Sequence, residues 1–89
     1  MEYKVYVLRS LVDRTLYIGL TSDLARRLKE HNSGYVRWTK NHRPYVMVYS
    51  EETPDRPTAR KREKWLKSGC GREFVKAFIG NHYSEVAQW

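Results

Sequence analysis

Three short segments of the chain are rich in apolar, β-branched and aromatic residues and contain few polar positions, a pattern typical of β-strands in a sheet. The segments are Tyr3 to Leu8, Leu16 to Leu20 and Tyr45 to Ser50. Both faces of the first segment are largely apolar, as in a central strand covered on two sides. Its short polar connection to the second segment predicts an antiparallel hairpin. Our hypothesis for the register pairs Tyr6 with Tyr17, so that the two phenols share one face of the sheet.

Helical periodicity follows the second and the third strand, and capping residues mark where the helices begin and end. The helices are predicted after Thr21 to Asp23, over Thr58 to Ser68, and from Gly71 or Arg72 to Gly80-Asn81, with Tyr35 to Arg43 as a loop and Glu51 to Arg56 as a turn. The order β-β-α-β-α-α places the third strand parallel to the second and antiparallel to the first. We therefore predict a single α/β (α+β) domain over residues 1–89, whose three-stranded sheet has the first strand at its centre.

Two basic residues interrupt the apolar stripe of the first predicted helix. Leu24 and Leu28 share the i, i+3, i+4, i+7 positions of that stripe with Arg27 and His31. A cation that faces the core is costly unless a nearby group satisfies it, which makes both residues candidates for chemistry. The alternative is a slightly rotated helix that exposes both side chains to solvent.

The second predicted helix also carries a charged residue, a carboxylate, on its apolar face. Glu63 falls on the face formed by Ala59 and Leu66, in a helix otherwise rich in lysine and arginine. The simpler interpretation is a surface residue that pairs with Lys67 at i,i+4, a contact worth only about 0.3–0.5 kcal/mol.

The amino-acid composition indicates which class of partner the protein binds and in which cellular compartment it is expected. The 89 residues carry a formal charge of +7, so the surface field favours a polyanion. Cys70 is the single cysteine, which excludes an intrachain disulfide and the two-cysteine zinc patterns. The N-terminus lacks the features of a signal peptide, and no apolar run approaches membrane-spanning length, so we expect a cytoplasmic protein without a membrane partner.

The ordered set of these residues resembles a GIY-YIG nuclease domain. The second signature element is intact as Tyr17-Ile18-Gly19, whereas the first, Lys4-Val5-Tyr6, keeps only its tyrosine. The family's arginine, histidine, metal-binding glutamate and late asparagine fall on Arg27, His31, Glu63 and Asn81. The resemblance spans Tyr3 to about Asn81, and it is strongest to small stand-alone bacterial members related to the GIY-YIG nuclease domain of the excinuclease and to nucleases that act on branched DNA.

The resemblance implies hydrolysis of a DNA phosphodiester with one divalent cation, Mg²⁺ or Mn²⁺. Tyr6, Tyr17, Arg27, His31 and Glu63 would be catalytic, with Glu63 as the metal ligand and Arg27 as the group that grips the phosphate. Either phenol could act as the base or orient the water, and His31 could bond a tyrosine or orient the phosphate. The residues expected to face DNA are Gly19, Arg37, Lys40, Arg43, Arg60, Lys61 and Lys64.

Simpler interpretations exist for each residue. The tyrosines could be ordinary half-buried strand residues, His31 a satisfied core histidine, and the basic residues a solvated face. Taken together, the residues favour a metal-dependent DNA endonuclease, and the resemblance implies that it acts on branched or damaged DNA. The alternatives are a nucleic-acid-binding module with a nuclease fold and little catalysis, and a catalytic domain that requires a partner protein.

Overall fold

A computed structural model describes residues 2–37 and 40–82, except for the side chains of residues 81 and 82. The strands are β1 (Tyr3–Ser10), β2 (Leu16–Thr21) and β3 (Tyr45–Thr53), and the helices are α1 (Leu24–Ser33), α2 (Arg56–Lys67) and α3 (Gly69–His82). A short 3-10 helix, Lys40–His42, lies between α1 and β3. The sheet order is β2-β1-β3, and β1 runs antiparallel to both neighbours. The predicted α+β architecture with a central first strand is confirmed.

The two faces of the sheet carry separate apolar clusters. Alternate residues of β1 point to opposite faces, so Val5 and Val7 join the cluster of α2 and α3, while Tyr6 and Leu8 join the cluster of α1. All four side chains are buried. The helices α1 and α2 therefore cover opposite faces of the sheet, with β1 between them.

Capping residues fix the ends of the first two helices. The Asp23 side chain accepts a hydrogen bond from the Arg26 N–H, and the Asp55 side chain accepts one from the Thr58 N–H. Gly34 ends α1 in the left-handed conformation, at φ 86°. The predicted limits of α1 are confirmed because its capping residues are local signals.

Several boundaries and the register differ from the predictions. Tyr6 pairs with Gly19 and Leu8 pairs with Tyr17, so the register that places Tyr6 opposite Tyr17 is wrong by two residues. A shift of two residues keeps a side chain on the same face, and the two phenols still share it. Strand β3 continues through Glu51–Thr53, a segment predicted as a turn, because β1 supplies pairing partners for it.

Helices α2 and α3 both begin earlier than predicted, at Arg56 and at Gly69. Ser68 separates them, and its hydroxyl accepts a hydrogen bond from the Gly71 N–H. A Cβ atom at Gly71 would lie 2.1 Å from the carbonyl oxygen of Trp65. The close contact between the two helices therefore requires a glycine inside the first turn of α3, at the position where the sequence predicts the helix to begin.

Candidate active site

The phenol of Tyr6 and the imidazole of His31 form a buried contact between β1 and α1. The Tyr6 hydroxyl lies 3.0 Å from Nε2 of His31. Tyr6 is 1% exposed and His31 is fully buried. His31 thus lies on the inward stripe of α1, as its spacing from Leu24 and Leu28 predicted, and the solvent-facing alternative is wrong for this residue.

Gly19 makes room for the Tyr6 phenol. It lies opposite Tyr6 in the hairpin. A Cβ atom built on Gly19 would lie 2.6 Å from the hydroxyl oxygen and 2.8 Å from Cζ of Tyr6. Any side chain at position 19 would therefore displace the buried phenol.

The ionisation of the two groups fixes the direction of their hydrogen bond. Burial lowers the pKa of His31 to about 4, and the positive charge of Arg27 acts in the same direction. Burial also raises the pKa of Tyr6 to about 12, against the opposing effect of the nearby Arg27. At neutral pH the imidazole is therefore neutral and the phenol is protonated. Because the Arg27 cation attracts the phenol oxygen and repels its proton, we assign the phenol O–H as the donor to Nε2 of His31.

Arg27 has two neighbours at the edge of this cluster. Its Nη1 donates to Oε1 of Glu30 at 2.9 Å, and the guanidinium also lies beside the Tyr6 hydroxyl and acts on the pKa of that phenol. Burial alone would lower the pKa of Arg27, but the Glu30 carboxylate together with the neighbouring Tyr6 and Tyr17 phenols outweighs it and raises the pKa. The side chain remains 32% exposed. Arg27 is thus a fixed cation that solvent can reach.

Two further tyrosines surround His31. The ring centroid of Tyr17 lies 4.7 Å from that of His31, and the centroid of Tyr45 lies 6.1 Å from it. Tyr17 is half-buried, whereas Tyr45 is 3% exposed and its hydroxyl has no hydrogen-bond partner among the described residues. Among the three phenols, Tyr17 is therefore the one that a substrate can reach in this structure.

Glu63 approaches the cluster from the other side of the sheet. Its side chain is 11% exposed, and its carboxylate lies 3.3 Å from Nζ of Lys67 and 3.6 Å from Nη1 of Arg60. The negative charge of Glu63 is one of the causes that raise the pKa of Tyr6. Glu63 is therefore both inward-facing and paired with Lys67, and its carboxylate lies within electrostatic reach of the phenol.

Comparison with known proteins identifies the family. A family model described as the GIY-YIG catalytic domain matches residues 2–72. The chain belongs to the GIY-YIG family. It is 45% identical over 78 residues to the UPF0213 protein DP2720 of Desulfotalea psychrophila, a match that covers 82% of this chain and 70% of the relative. It is also 37% identical over 68 residues to the UPF0213 protein NP_0776A of Natronomonas pharaonis, covering 75% and 79% of the two chains.

A solved structure has the same fold. The solution NMR structure of the UPF0213 protein BH0048 from Bacillus halodurans matches with a TM-score of 0.57 and 30% identity, and the match covers 93% of this chain and 90% of that one. The resemblance of the sequence to a GIY-YIG nuclease domain is thus confirmed for the family and for the fold. The match to the catalytic domain supports a nuclease-like function.

The predicted DNA-facing cations fall into two groups. One group, Arg37, Lys40 and Arg43, lies between α1 and β3, and the other, Arg60, Lys61 and Lys64, lies on α2; all six are exposed. Nη1 of Arg43 occupies the space where Gly34 would carry a Cβ atom, which places this cation at the end of α1. The groups therefore belong to elements that cover opposite faces of the sheet.

One predicted site residue lies at the end of the described part of the chain. Asn81 lies in the last turn of α3, but its side chain is outside the described part of the chain.

Among the residues that the structure describes, no three His, Cys, Asp or Glu side chains are grouped to hold a metal ion. Within the same ranges, no helix has both the length and the apolar character needed to cross a bilayer.

The structure adds residues that sequence reasoning missed. Glu30 binds Arg27 from the position i+3, a spacing that could have indicated the contact. The amide of Asn32 bonds both the N–H and the carbonyl of Tyr45, which fixes the start of β3 beside His31. No sequence signal links Tyr45 to His31, because their contact depends on how α1 packs on the sheet.

Proposed function

We propose that this protein is a divalent-metal-dependent endonuclease that hydrolyses a phosphodiester bond in branched or damaged DNA. The observation that carries the proposal is the buried Tyr6 phenol, which contacts His31 at 3.0 Å against Gly19 and has the Arg27 guanidinium beside it. A group of this kind places a cation at a fixed point of the surface. The preference for branched or damaged DNA rests on the family resemblance.

Arg27 is the group that binds the scissile phosphate in this proposal. A guanidinium presents several N–H donors in a planar fork that matches the oxygens of a phosphate. Its 2.9 Å bond to Glu30 holds it in place before substrate arrives. Charge that develops on the phosphoryl oxygens therefore meets a donor that needs no rearrangement.

The two tyrosines have different tasks in this proposal. Tyr6 is buried and keeps its proton at neutral pH, because burial raises its pKa to about 12. It is a positioning residue that orients Arg27 and His31. Tyr17 is half-buried beside His31, and its hydroxyl orients the attacking water.

Glu63 would hold the divalent cation. Mg²⁺ keeps several of its water ligands and is often bound through one or two carboxylates together with substrate phosphates. A single buried carboxylate fits such a site, since water and DNA would supply the remaining ligands. When bound, the cation would neutralise charge on the phosphoryl oxygens and lower the pKa of a bound water.

One observation favours the second candidate, a binding module with a nuclease fold. The Glu63 carboxylate already has two cationic partners, Lys67 and Arg60. If DNA phosphates bound those same two cations, Glu63 would position the cations for binding and would hold no metal. A requirement for a partner protein would produce the same outcome in assays of the isolated chain.

Cleavage of labelled branched, nicked and linear DNA, with Mg²⁺, with Mn²⁺ and with neither, tests the proposal. A nuclease cuts branched DNA only when a metal is present. A protein that binds these molecules and cuts none of them under any condition is a binding module instead. Denaturing electrophoresis of end-labelled strands shows both the cut and its position.

A further inference from the structure

A cleft opens at the free edge of the sheet, next to the candidate active site. Its volume is about 420 Å³, and it is lined by Leu16, Tyr17 and Ile18 of β2 and by Lys67 and Arg72 from the helices. This volume lies within the range of roughly 300–1,000 Å³ that is usual for ligand sites. Among the described strands, β2 pairs only with β1, so its outer edge borders the cleft.

We propose that this cleft binds a phosphate of the DNA strand that is being cut, beside the scissile phosphate. Lys67 and Arg72 would contact the phosphate, while the apolar wall and the Tyr17 ring accommodate the sugar and base. This inference rests on the proposed function, because it assigns a flanking subsite to the same substrate. Neither cation belongs to the set predicted from the sequence.

Two contacts connect the cleft to the candidate active site. Tyr17 lines the cleft and also packs against His31, with ring centroids 4.7 Å apart. Lys67 lines the cleft and also binds the Glu63 carboxylate at 3.3 Å. A strand whose scissile phosphate lies at Arg27 and Tyr17 therefore meets this cleft as it leaves the site.

The chemistry of the cleft suits a sugar-phosphate backbone. The Nε of Arg72 donates to the carbonyl oxygen of Lys67 at 3.3 Å, which holds the two cationic residues together where α2 meets α3. The Lys67 side chain remains 53% exposed. A positively charged groove combined with an aromatic ring is the usual arrangement for binding a nucleic-acid strand without sequence preference.

Matched charge removals test the subsite without cleavage. Binding of a fluorescein-labelled branched DNA is measured by anisotropy in EDTA, over a range of salt concentrations, for wild type, Arg72→Gln and Arg56→Gln. Arg56 lies at the other end of α2, about 16 Å along the axis from Lys67 at about 1.5 Å per residue. Arg72→Gln should reduce the slope of log K against log salt by about 0.7 to 0.9, the contribution of one phosphate contact. Arg56→Gln should leave the slope unchanged, and equal losses in both variants would overturn the subsite.

Neutral phosphate analogues locate the contact. Methylphosphonates are placed one at a time along the strand. One position next to the cut should weaken the binding of wild type and leave the binding of Arg72→Gln unaffected. Equal sensitivity of both proteins at every position would overturn the proposal. Lys67→Gln repeats the test from the other cationic residue if Arg72→Gln does not fold.

These measurements separate the subsite from the proposed activity. If wild type binds and never cuts while Arg72→Gln reduces the slope as expected, phosphate binding in the cleft is supported and the nuclease proposal fails. If wild type cuts with metal while Arg72→Gln keeps the full slope, only the subsite fails. A wild type that binds no branched DNA at all contradicts both.

Discussion

Tyr6 and His31 are joined by a 3.0 Å contact between two side chains that solvent scarcely reaches. The contact bridges the central strand and α1, and it makes His31 the acceptor for the phenol. A buried acceptor of this kind resists protonation, because a charged imidazole would lose both its hydrogen bond and its compatibility with an apolar site. The effects of the Tyr6–His31 contact can be measured on the stability and on the activity of the protein.

The stability of the protein should decline as the pH falls from about 6.5 to about 4. The folded pKa of His31 is about 4, below the ordinary value of 6.5. Within that window the unfolded chain binds the proton and the folded chain does not, so acidification favours unfolding. Urea titrations at several pH values measure this effect. His31→Gln should lack this part of the decline. The control His42→Gln removes a more exposed histidine and should keep it. Equal profiles of stability against pH for wild type and His31→Gln would contradict a neutral buried His31.

Gly19→Ala should destabilise the fold and lower activity. The new methyl group would lie 2.6 Å from the Tyr6 hydroxyl oxygen, and the buried ring cannot move without disturbing His31. Overpacking of this kind costs about 1–3 kcal/mol. Gly80→Ala is the matched control, since nothing lies within 4 Å of its Cβ position in α3 and alanine favours a helix. Thermal unfolding should therefore show a lower Tm for Gly19→Ala and not for Gly80→Ala. Unchanged stability and activity in Gly19→Ala would show that the Tyr6 phenol is not confined.

Arg27→Ala should reduce turnover by at least ~10²-fold, the scale for loss of a donor to the charge that develops in the transition state. Arg26→Ala is its control, because Arg26 is the adjacent residue and also contacts Glu30, at 3.9 Å. Single-turnover cleavage with saturating enzyme separates this effect from binding. Equal rates for Arg27→Ala and Arg26→Ala would remove Arg27 from the chemistry.

The sequence predicted most of the fold because the relevant signals are local. Asp23 and Gly34 mark the ends of α1, and the spacing of His31 from Leu28 and Leu24 places it on the inward face. The hairpin register could not be predicted this way, since a shift of two residues preserves the face of every side chain. The Tyr6–Gly19 pairing satisfies the same pattern and also gives the phenol room.

The candidate site was accessible from sequence mainly through the family resemblance. Arg27 and Glu63 stood out because each interrupts an apolar stripe, and the structure explains both by nearby partners. The position of Tyr45 beside His31 and the cleft at Lys67 and Arg72 arise from packing between elements distant in sequence. Such contacts leave no periodic signal.

The affinity for DNA should fall steeply with salt, by a slope near −0.9 for each duplex phosphate that is neutralised. Lys61→Ala and Lys64→Ala should each reduce the magnitude of this slope by about that amount for every DNA sequence. Lys76→Ala, an exposed lysine of α3, is the control and should leave the slope unchanged. An affinity independent of salt would contradict phosphate contacts by α2.

Glu63→Gln in a metal-dependent cleavage assay tests the central claim most directly. The fold should survive, because Lys67 and Arg60 are more than half exposed and water can solvate both cations once the carboxylate becomes an amide. DNA binding should persist or tighten, since one negative charge near the phosphate is gone. With Mg²⁺ or Mn²⁺, wild type should cut branched DNA, and Glu63→Gln should bind that DNA without cutting it. A wild type that binds branched DNA and never cuts it with either metal, or a Glu63→Gln variant that cuts it as fast as wild type, would contradict the account.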